Sequence, residues 1–361
     1  MITQEEISEI FREYDKKNIT IACVGSHSAL QILKGAKDEG FKTLVLCTRG
    51  REEVYRRFKV ADYVVTLNNF REICDEEILA TLRRKNSIVI PHGSLIAYVG
   101  IEAIEEELLV PLFGNRKILR WEADRKLERK WLTKAGLKMP EEFKDPKEIN
   151  KLCIVKFPGA LGGKGYFLAR NYSELKNKLE EITKKGEISK KDIENMTIQE
   201  YITGVNMYLS YFYSPIDNTT EFFSIDRRYE ANIDGLSRLP AKEQAKIKAD
   251  PSYVVVGNIP VVVRESLLPE ILRMGDRVVE ISKELCPPGM IGPFCLETMV
   301  TDDLKFITFE ISARIVAGTN PFIQGSPYSY VLYGKEMSMG RRIAIEIKKA
   351  MMDGKEDKII S

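Results

Sequence analysis

Histidine is almost missing from this chain: only His27 and His92 occur in 361 residues. That excludes a metal centre built from several imidazoles. Cysteine is sparse as well. The six present (Cys23, Cys47, Cys74, Cys153, Cys286 and Cys295) form no C-x-x-C pair and mostly sit in apolar runs. Such cysteines are expected to be buried reduced thiols, not disulfides or a zinc site. Neither sign of charge is in excess: 55 basic against 53 acidic residues leave a net charge of +2. There is therefore no electrostatic footprint for nucleic acid or an anionic membrane, and an anionic substrate must be held by local features. No apolar stretch reaches the roughly 18 residues of a membrane span. The opening MITQEEISEIFREYDKK reads as a charged amphipathic helix and not as a signal peptide. A cytoplasmic protein without membrane or nucleic-acid partners is expected. Repeats, low-complexity tracts and disordered linkers are absent too.

What is present is ordinary globular composition, 44% hydrophobic and 30% charged, in a length that suits two or three domains. Residues 19–25, ITIACVG, form a buried apolar run ending in glycine. A helical pattern, ALQILKGAKDEG, follows and stops at Gly40. TLVLCT, DYVVTL and SIVIP read as further strands. Strands alternating with helices predict a parallel, Rossmann-like α/β domain over residues 1–120. Ligands of such sheets gather beyond the carboxyl ends of the strands. Two loops belong there, Gly25-Ser26-His27-Ser28 and Pro91-His92-Gly93-Ser94. Each places small residues, hydroxyls and an imidazole at a helix amino terminus, where free N–H groups suit a phosphate. The competing reading is that the serines only cap helices.

The segment RWEADRKLERKWLTKAGLKMP reads as one charged helix ended by Gly136 and Pro140. It leads to a second region, residues 121–205, and a third, 206–361. The second holds Lys156-Phe157-Pro158-Gly159-Ala160-Leu161-Gly162-Gly163-Lys164-Gly165-Tyr166. Four glycines in seven residues let a backbone close over a phosphate chain without obstruction. Lys156, at the end of the entering strand, can pair with the same phosphates. The segment matches neither G-x-x-x-x-G-K-[ST] nor G-x-G-x-x-G. A strand–loop–strand lid over phosphates is expected, against an ordinary glycine-rich hairpin. Gln199-Glu200-Tyr201-Ile202 reads as a hinge that bonds an adenine edge through backbone groups, or else as an edge strand.

In the third region Glu297 ends PFCLE, and Glu310 lies in ITFEISARIVAGTN. Both acids interrupt runs that otherwise read as buried strand. A buried carboxylate needs a partner. Two on adjacent strands repel unless a cation lies between them, and hard oxygen ligands favour Mg²⁺ (or Mn²⁺), which also bridges nucleotide phosphates. The alternative is that each pairs with an arginine such as Arg314 or Arg264.

In this order the segments resemble the ATP-grasp superfamily: a lysine before a glycine-rich lid, a hinge strand, and two acidic metal ligands, the second within E-x-N-x-R. Asp124-Arg125 stand where many members have Asp-Lys. Ser312 departs from the pattern, which usually has asparagine there. The runs GSHSALQILKGAKDEGF, IPHGSLIAYVG, FGNRKILRWE, KFPGALGGKGYF, DRRYEANIDGLSRLPA, GNIPVVVRESLLP and PPGMIGPFCLE span essentially the whole chain. They look like the archaeal formate-dependent FAICAR synthetases, which join formate to the exocyclic amine of the ribotide AICAR using ATP. The resemblance implies an ATP-grasp fold behind the amino-terminal α/β domain. It also implies formylation through formyl phosphate, releasing ADP and phosphate, in folate-free inosinate synthesis.

Carried over residue by residue, it implies that His27, Ser94 and Asn258 hold AICAR. ATP would be held by Arg125, Lys156, Gly162, Gly163, Lys164, Gly165, Gln199, Glu200, Tyr201, Ile202 and Glu230. Glu297 and Glu310 would hold the metal, and Arg314 and Lys156 would be catalytic. The partners are then ATP, formate and AICAR, and a homo-oligomer is expected. Two other readings remain: a carboxylate–amine ligase of the same fold with a different acceptor, and a non-catalytic nucleotide-binding subunit.

Overall fold

The computed structural model describes residues 1–157, 166–186, 188–244, 246–247 and 254–361. Its first sheet is parallel and four-stranded. β1 (Thr20–Val24), β2 (Lys42–Thr48), β3 (Tyr63–Leu67) and β4 (Ser87–Val89) lie in the order β3-β2-β1-β4. Burial on both faces explains why β1 is apolar after Thr20 and buried at every position. Crossover helices such as Ala29–Asp38 and Glu76–Arg84 cover the sheet.

The second sheet is small and antiparallel, with β5 (Cys153–Lys156) between β6 (Tyr166–Ala169) and β7 (Thr197–Glu200). The segment joining β5 to β6, with Gly159, Gly162, Gly163, Lys164 and Gly165, lies outside the described residues.

The third sheet is the largest. β8 (Val205–Ser214), β9 (Thr219–Glu230), β10 (Val255–Val261), β11 (Gly292–Val300) and β12 (Phe306–Ser312) are antiparallel in the order β10-β9-β8-β11-β12. Strand alternation divides its two faces. Leu209, Tyr211, Ile225, Phe294, Leu296 and Ile311 point to one side and pack under the helices Arg125–Lys134 and Leu268–Leu285. Tyr211 stacks on Phe294 at 4.9 Å. The Trp131 indole donates to the Val278 carbonyl at 3.0 Å, which satisfies the one polar atom of the largest buried side chain. The residues between them (Tyr208, Asp226, Arg228, Cys295 and Glu297) face the opposite side, where they line a cleft with Glu310 and Arg314.

The chain then returns to its beginning. Helix Met339–Asp353 crosses Ala29–Asp38 so closely that a Cβ on Gly35 or Gly340 would overlap the other helix's backbone. Ile360 pairs antiparallel with Phe113 beside the first sheet. The third region thus also completes the first, and the two are packed against each other.

The expected single helix over RWEADRKLERKWLTKAGLKMP is in fact two. Asp124 is extended (φ −99°, ψ 110°), ends Ile118–Ala123 and caps Arg125–Lys134 by accepting from the N–H groups of Lys126 and Leu127. A side chain that caps two orphan donors outweighs the continuous helical propensity around it.

Candidate active site

Two clefts meet at Glu310, whose carboxylate belongs to the walls of both. The first, about 340 Å³, is lined by His27, Asp226, Arg228, Asn258, Glu297 and Arg314 among others. The second, about 390 Å³, lies under the small sheet and is lined by Arg125, Glu128, Lys156, Gln199 and Phe309 among others.

Antiparallel register sets Glu297 directly opposite Glu310. Glu297 is buried. One of its oxygens accepts from Arg228, whose guanidinium also lies 4.1 Å from the Tyr208 ring centroid. Its other oxygen, Oε2, is buried without a partner among the described residues. Burial pushes the Glu297 pKa up to about 7, Arg228 opposes that shift, and Glu310 adds to it. The alternative of an arginine partner is therefore met in part for Glu297, by Arg228 and not by Arg314 or Arg264. Arg228 satisfies only one oxygen, so a cation beside Glu310 still fits the orphan. Among the described residues no group of three His, Cys, Asp or Glu side chains is arranged to hold a metal. Two carboxylates are instead the usual protein share for Mg²⁺ that takes its remaining ligands from phosphates and water. Ser312 is buried and is part of neither cleft wall.

Arg314 pairs with Glu122 at 2.9 Å. Glu122 also accepts from the Ala313 N–H at 2.7 Å, and buried Glu128 accepts from the Ile311 N–H at 2.7 Å. Two helices thus clamp β12 and its extension just after Glu310, at Ile311 and Ala313. Burial raises the pKa of both, Glu128 strongly. Neither acid was singled out from the sequence. Both lie in a helical stretch rich in charge, where nothing local separates them from solvated neighbours. Lys156 ends β5 and faces this group from the small sheet, 5.9 Å from the Phe309 ring centroid. Burial lowers its pKa, and Glu310 acts against that.

At the hinge, the N–H groups of Glu200 and Tyr201 already donate to Glu141 and Leu152 carbonyls, at 2.8 and 2.9 Å. The Glu200 carboxylate reaches Lys151 at 3.4 Å. An adenine edge would have to use Gln199, Ile202 or the carbonyls. Glu230 closes β9, the strand that carries Arg228, and is part of neither cleft wall.

The two amino-terminal loops do come together. His27 and His92 stack at 5.3 Å with planes 6° apart. His92 is fully buried, and its tautomer is set by its partners. Nε2 donates to the Val24 carbonyl at 2.9 Å, and Nδ1 accepts from the Ser94 N–H at 3.3 Å. Burial lowers its pKa to about 4. His27 has a left-handed backbone (φ 55°) and one side of its ring is open to the cleft. Even so, withdrawal from bulk water, followed by Arg314 and His92, pushes its pKa well below the usual histidine value. Both shifts favour the neutral ring. Gly93 is needed between them and Arg314: a Cβ there would lie 2.9 Å from His27 Nε2 and 3.3 Å from Arg314. The free N–H groups expected at these helix starts are partly spent. Ser94's bonds to His92, and Ala29's to the Ser26 carbonyl at 2.9 Å. Ser94 itself is buried and lines neither cleft.

On the far wall, Asn258 donates to Asp226 at 2.8 Å. Burial raises the Asp226 pKa to about 6. The resemblance named Asn258, which spacing alone does not single out, and nothing in the sequence pointed to Asp226. β10 is largely exposed, with no alternation to separate Asn258 from its neighbours.

Two family models match the chain, "Protein of unknown function (DUF1246)" over residues 21–143 and "Domain of unknown function (DUF1297)" over residues 174–361. Among curated proteins, the 5-formaminoimidazole-4-carboxamide-1-(beta)-D-ribofuranosyl 5'-monophosphate synthetase of Methanocaldococcus jannaschii is 52% identical over 361 residues, covering 100% of both chains. That of Methanothermobacter thermautotrophicus is 49% identical, covering 100% of this chain and 99% of its own. Among solved structures, the IMP biosynthesis protein PurP from Thermococcus kodakaraensis is 32% identical with a TM-score of 0.75, covering 94% of this chain and 100% of that one. The ADP complex of an N5-carboxyaminoimidazole ribonucleotide synthetase shares the fold, with a TM-score of 0.63 at 13% identity over 90% of this chain and 75% of that one.

Proposed function

The chain belongs to the family of 5-formaminoimidazole-4-carboxamide ribonucleotide (FAICAR) synthetases, ATP-dependent ligases of the ATP-grasp fold. From that premise we propose that it formylates AICAR with formate and ATP, giving FAICAR, ADP and phosphate in IMP biosynthesis. The observation that carries the assignment of sites is the position of Glu310 between the two clefts. The cleft under the small sheet takes ATP, and the cleft between His27 and Asn258 takes AICAR. Formate lies where they meet.

A formate oxygen attacks the γ-phosphorus and the bond to ADP breaks. The AICAR amine then attacks the formyl carbon, the carbon–oxygen bond to phosphate breaks, and the amine gives up a proton to the departing phosphate. Lys156 and Arg125 neutralise charge spread over the transferred group. Arg314, held by Glu122 on the wall of the acceptor cleft, would neutralise the formyl phosphate oxygens. Glu297 and Glu310 would hold Mg²⁺ or Mn²⁺, which supplies charge neutralisation at the β- and γ-phosphates. Neutral His27 offers a hydrogen bond without adding a charge. The AICAR amine is a weak nucleophile because its lone pair conjugates into the ring, so fixed placement matters more than a strong base.

No helix among the described residues is long and apolar enough to cross a membrane. The proposal includes a cytoplasmic homo-oligomer, for which the exposed Tyr330, Val331 and Leu332 offer apolar surface. Light scattering tests that part.

The assay is product formation from ATP, formate and AICAR, followed by mass spectrometry. FAICAR and ADP should appear in equal amounts and only with all three substrates. ADP formation that ignores formate, or a better yield with another amine, would refute the assignment.

A further inference from the structure

Asp226 lies on the wall of the acceptor cleft with no cation paired to it among the described residues. Its Oδ2 accepts from Asn258 Nδ2 at 2.8 Å, and its Oδ1 is buried without a hydrogen bond among the described residues. Gly318 packs against the carboxylate, and any Cβ there would overlap it. A carboxylate only accepts hydrogen bonds, so the amide of Asn258 must turn its nitrogen toward Asp226. Its oxygen is thereby turned away. Asn258 also lines the cleft, and that oxygen bonds to no described residue. The wall of the cleft therefore presents an acceptor, and its ligand must present an N–H there.

One short stretch braces this arrangement and His27 together. Beside Gly318, the Thr319 hydroxyl accepts from Gln31 at 2.5 Å. Asn320 accepts from the same Gln31 amide at 2.8 Å and donates to the His27 carbonyl at 2.9 Å. Ala317–Phe322 is a turn of 3-10 helix. It holds the two walls of the cleft at a set separation.

We propose that Asp226 is a positioning residue for acceptor choice: by locking the Asn258 amide it makes the cleft select an imidazole ribotide bearing a carboxamide over one bearing a carboxylate at the same carbon. The inference rests on the reading that this cleft takes AICAR. A carboxamide can turn its NH₂ to the Asn258 oxygen. A carboxylate would set lone pairs against lone pairs. If Asp226 is replaced by asparagine, the Asn258 amide is free to turn over and offer its nitrogen, so discrimination is lost without a change of shape.

The test is calorimetric titration of AICAR and of its 4-carboxylate analogue into the intact protein, with the KM for ATP measured alongside. Three proteins are compared: the parent, Asp226→Asn, and the exchanged pair Asp226→Asn with Asn258→Asp. The parent should prefer AICAR by about tenfold or more. In Asp226→Asn that preference should fall to about twofold, with AICAR bound about tenfold more weakly and the ATP KM unmoved. The exchanged pair again presents an acceptor to the cleft, because the amide moved to β9 can donate to the carboxylate moved to β10. It should regain the preference for the carboxamide. Retention of the full preference by a folded Asp226→Asn protein overturns the proposal. So does equal loss of ATP and AICAR affinity, which marks a structural residue. A parent that binds no AICAR overturns the underlying reading in the first titration, before any variant is made.

Discussion

On the nucleotide side of Glu310, Arg129 pairs with Glu142, but Arg125, Lys126, Lys144 and Lys156 also line the cleft and make no ion pair among the described residues. On the acceptor side, Arg228 is paired with Glu297 and Arg314 with Glu122. The other groups on that wall include neutral His27 and Asn258 and the Asp226 carboxylate, to which Asn258 donates. The difference follows what each side must recognise. A polyphosphate is bound by charge left uncompensated, and its arrival offsets the cost of holding several cations together. A purine precursor is recognised by direction, so its site spends its charges on internal pairs that hold donors and acceptors in place. The acceptor side is correspondingly dense in tertiary hydrogen bonds, from Val24 to His92 to Ser94 and from Asp226 to Asn258.

The comparison breaks most severely at the shared wall. Glu310→Gln should bind ATP yet lose turnover by at least about a hundredfold, ~2.7 kcal/mol of barrier. Steady-state rates with a nucleotide-binding titration check this, and turnover within about tenfold of the parent would remove Glu310 from the metal role. Next, Lys156→Ala should lower kcat/KM for ATP by roughly ten- to a hundredfold, the value of one hydrogen bond between charged groups. The AICAR KM should stay put, and a matching change in both constants would mean the clefts are not separable.

On the other side, His27→Asn should raise the AICAR KM about tenfold while the ATP KM moves little. Asparagine tolerates the left-handed backbone at this position, so the loop should survive. Thermal melting on the same preparation separates a lost contact from a lost fold. The smallest effect belongs to Asp124→Ala, which removes the cap that starts Arg125–Lys134. Stability should fall by about 1 kcal/mol, measured by urea unfolding. The ATP KM should rise roughly threefold or less as Arg125 loses its fixed start, in keeping with a loss of under ~1 kcal/mol.

Much of the parallel sheet was legible because fully buried strands read as apolar runs closed by glycine, as in ITIACVG. Glu297 and Glu310 stood out for the opposite reason: each is a charge inside a strand pattern, and strand alternation then dictates that they face the cleft. What could not be read was tertiary hydrogen bonding. Glu122 and Glu128 look like solvated helix residues until β12 is laid beside them. The break at Asp124 was hidden by strong helix formers on both sides. The two histidine loops were legible as strand ends. The sequence could not tell that His92 would use the Ser94 N–H that a phosphate was expected to take.

If formate is activated where the clefts meet, the γ-phosphoryl group passes to a formate oxygen. Turnover with formate labelled at both oxygens with ¹⁸O tests it directly. One labelled oxygen should appear in each phosphate released and the other should remain in the formyl group of FAICAR. Unlabelled phosphate, with FAICAR still formed, would contradict the account.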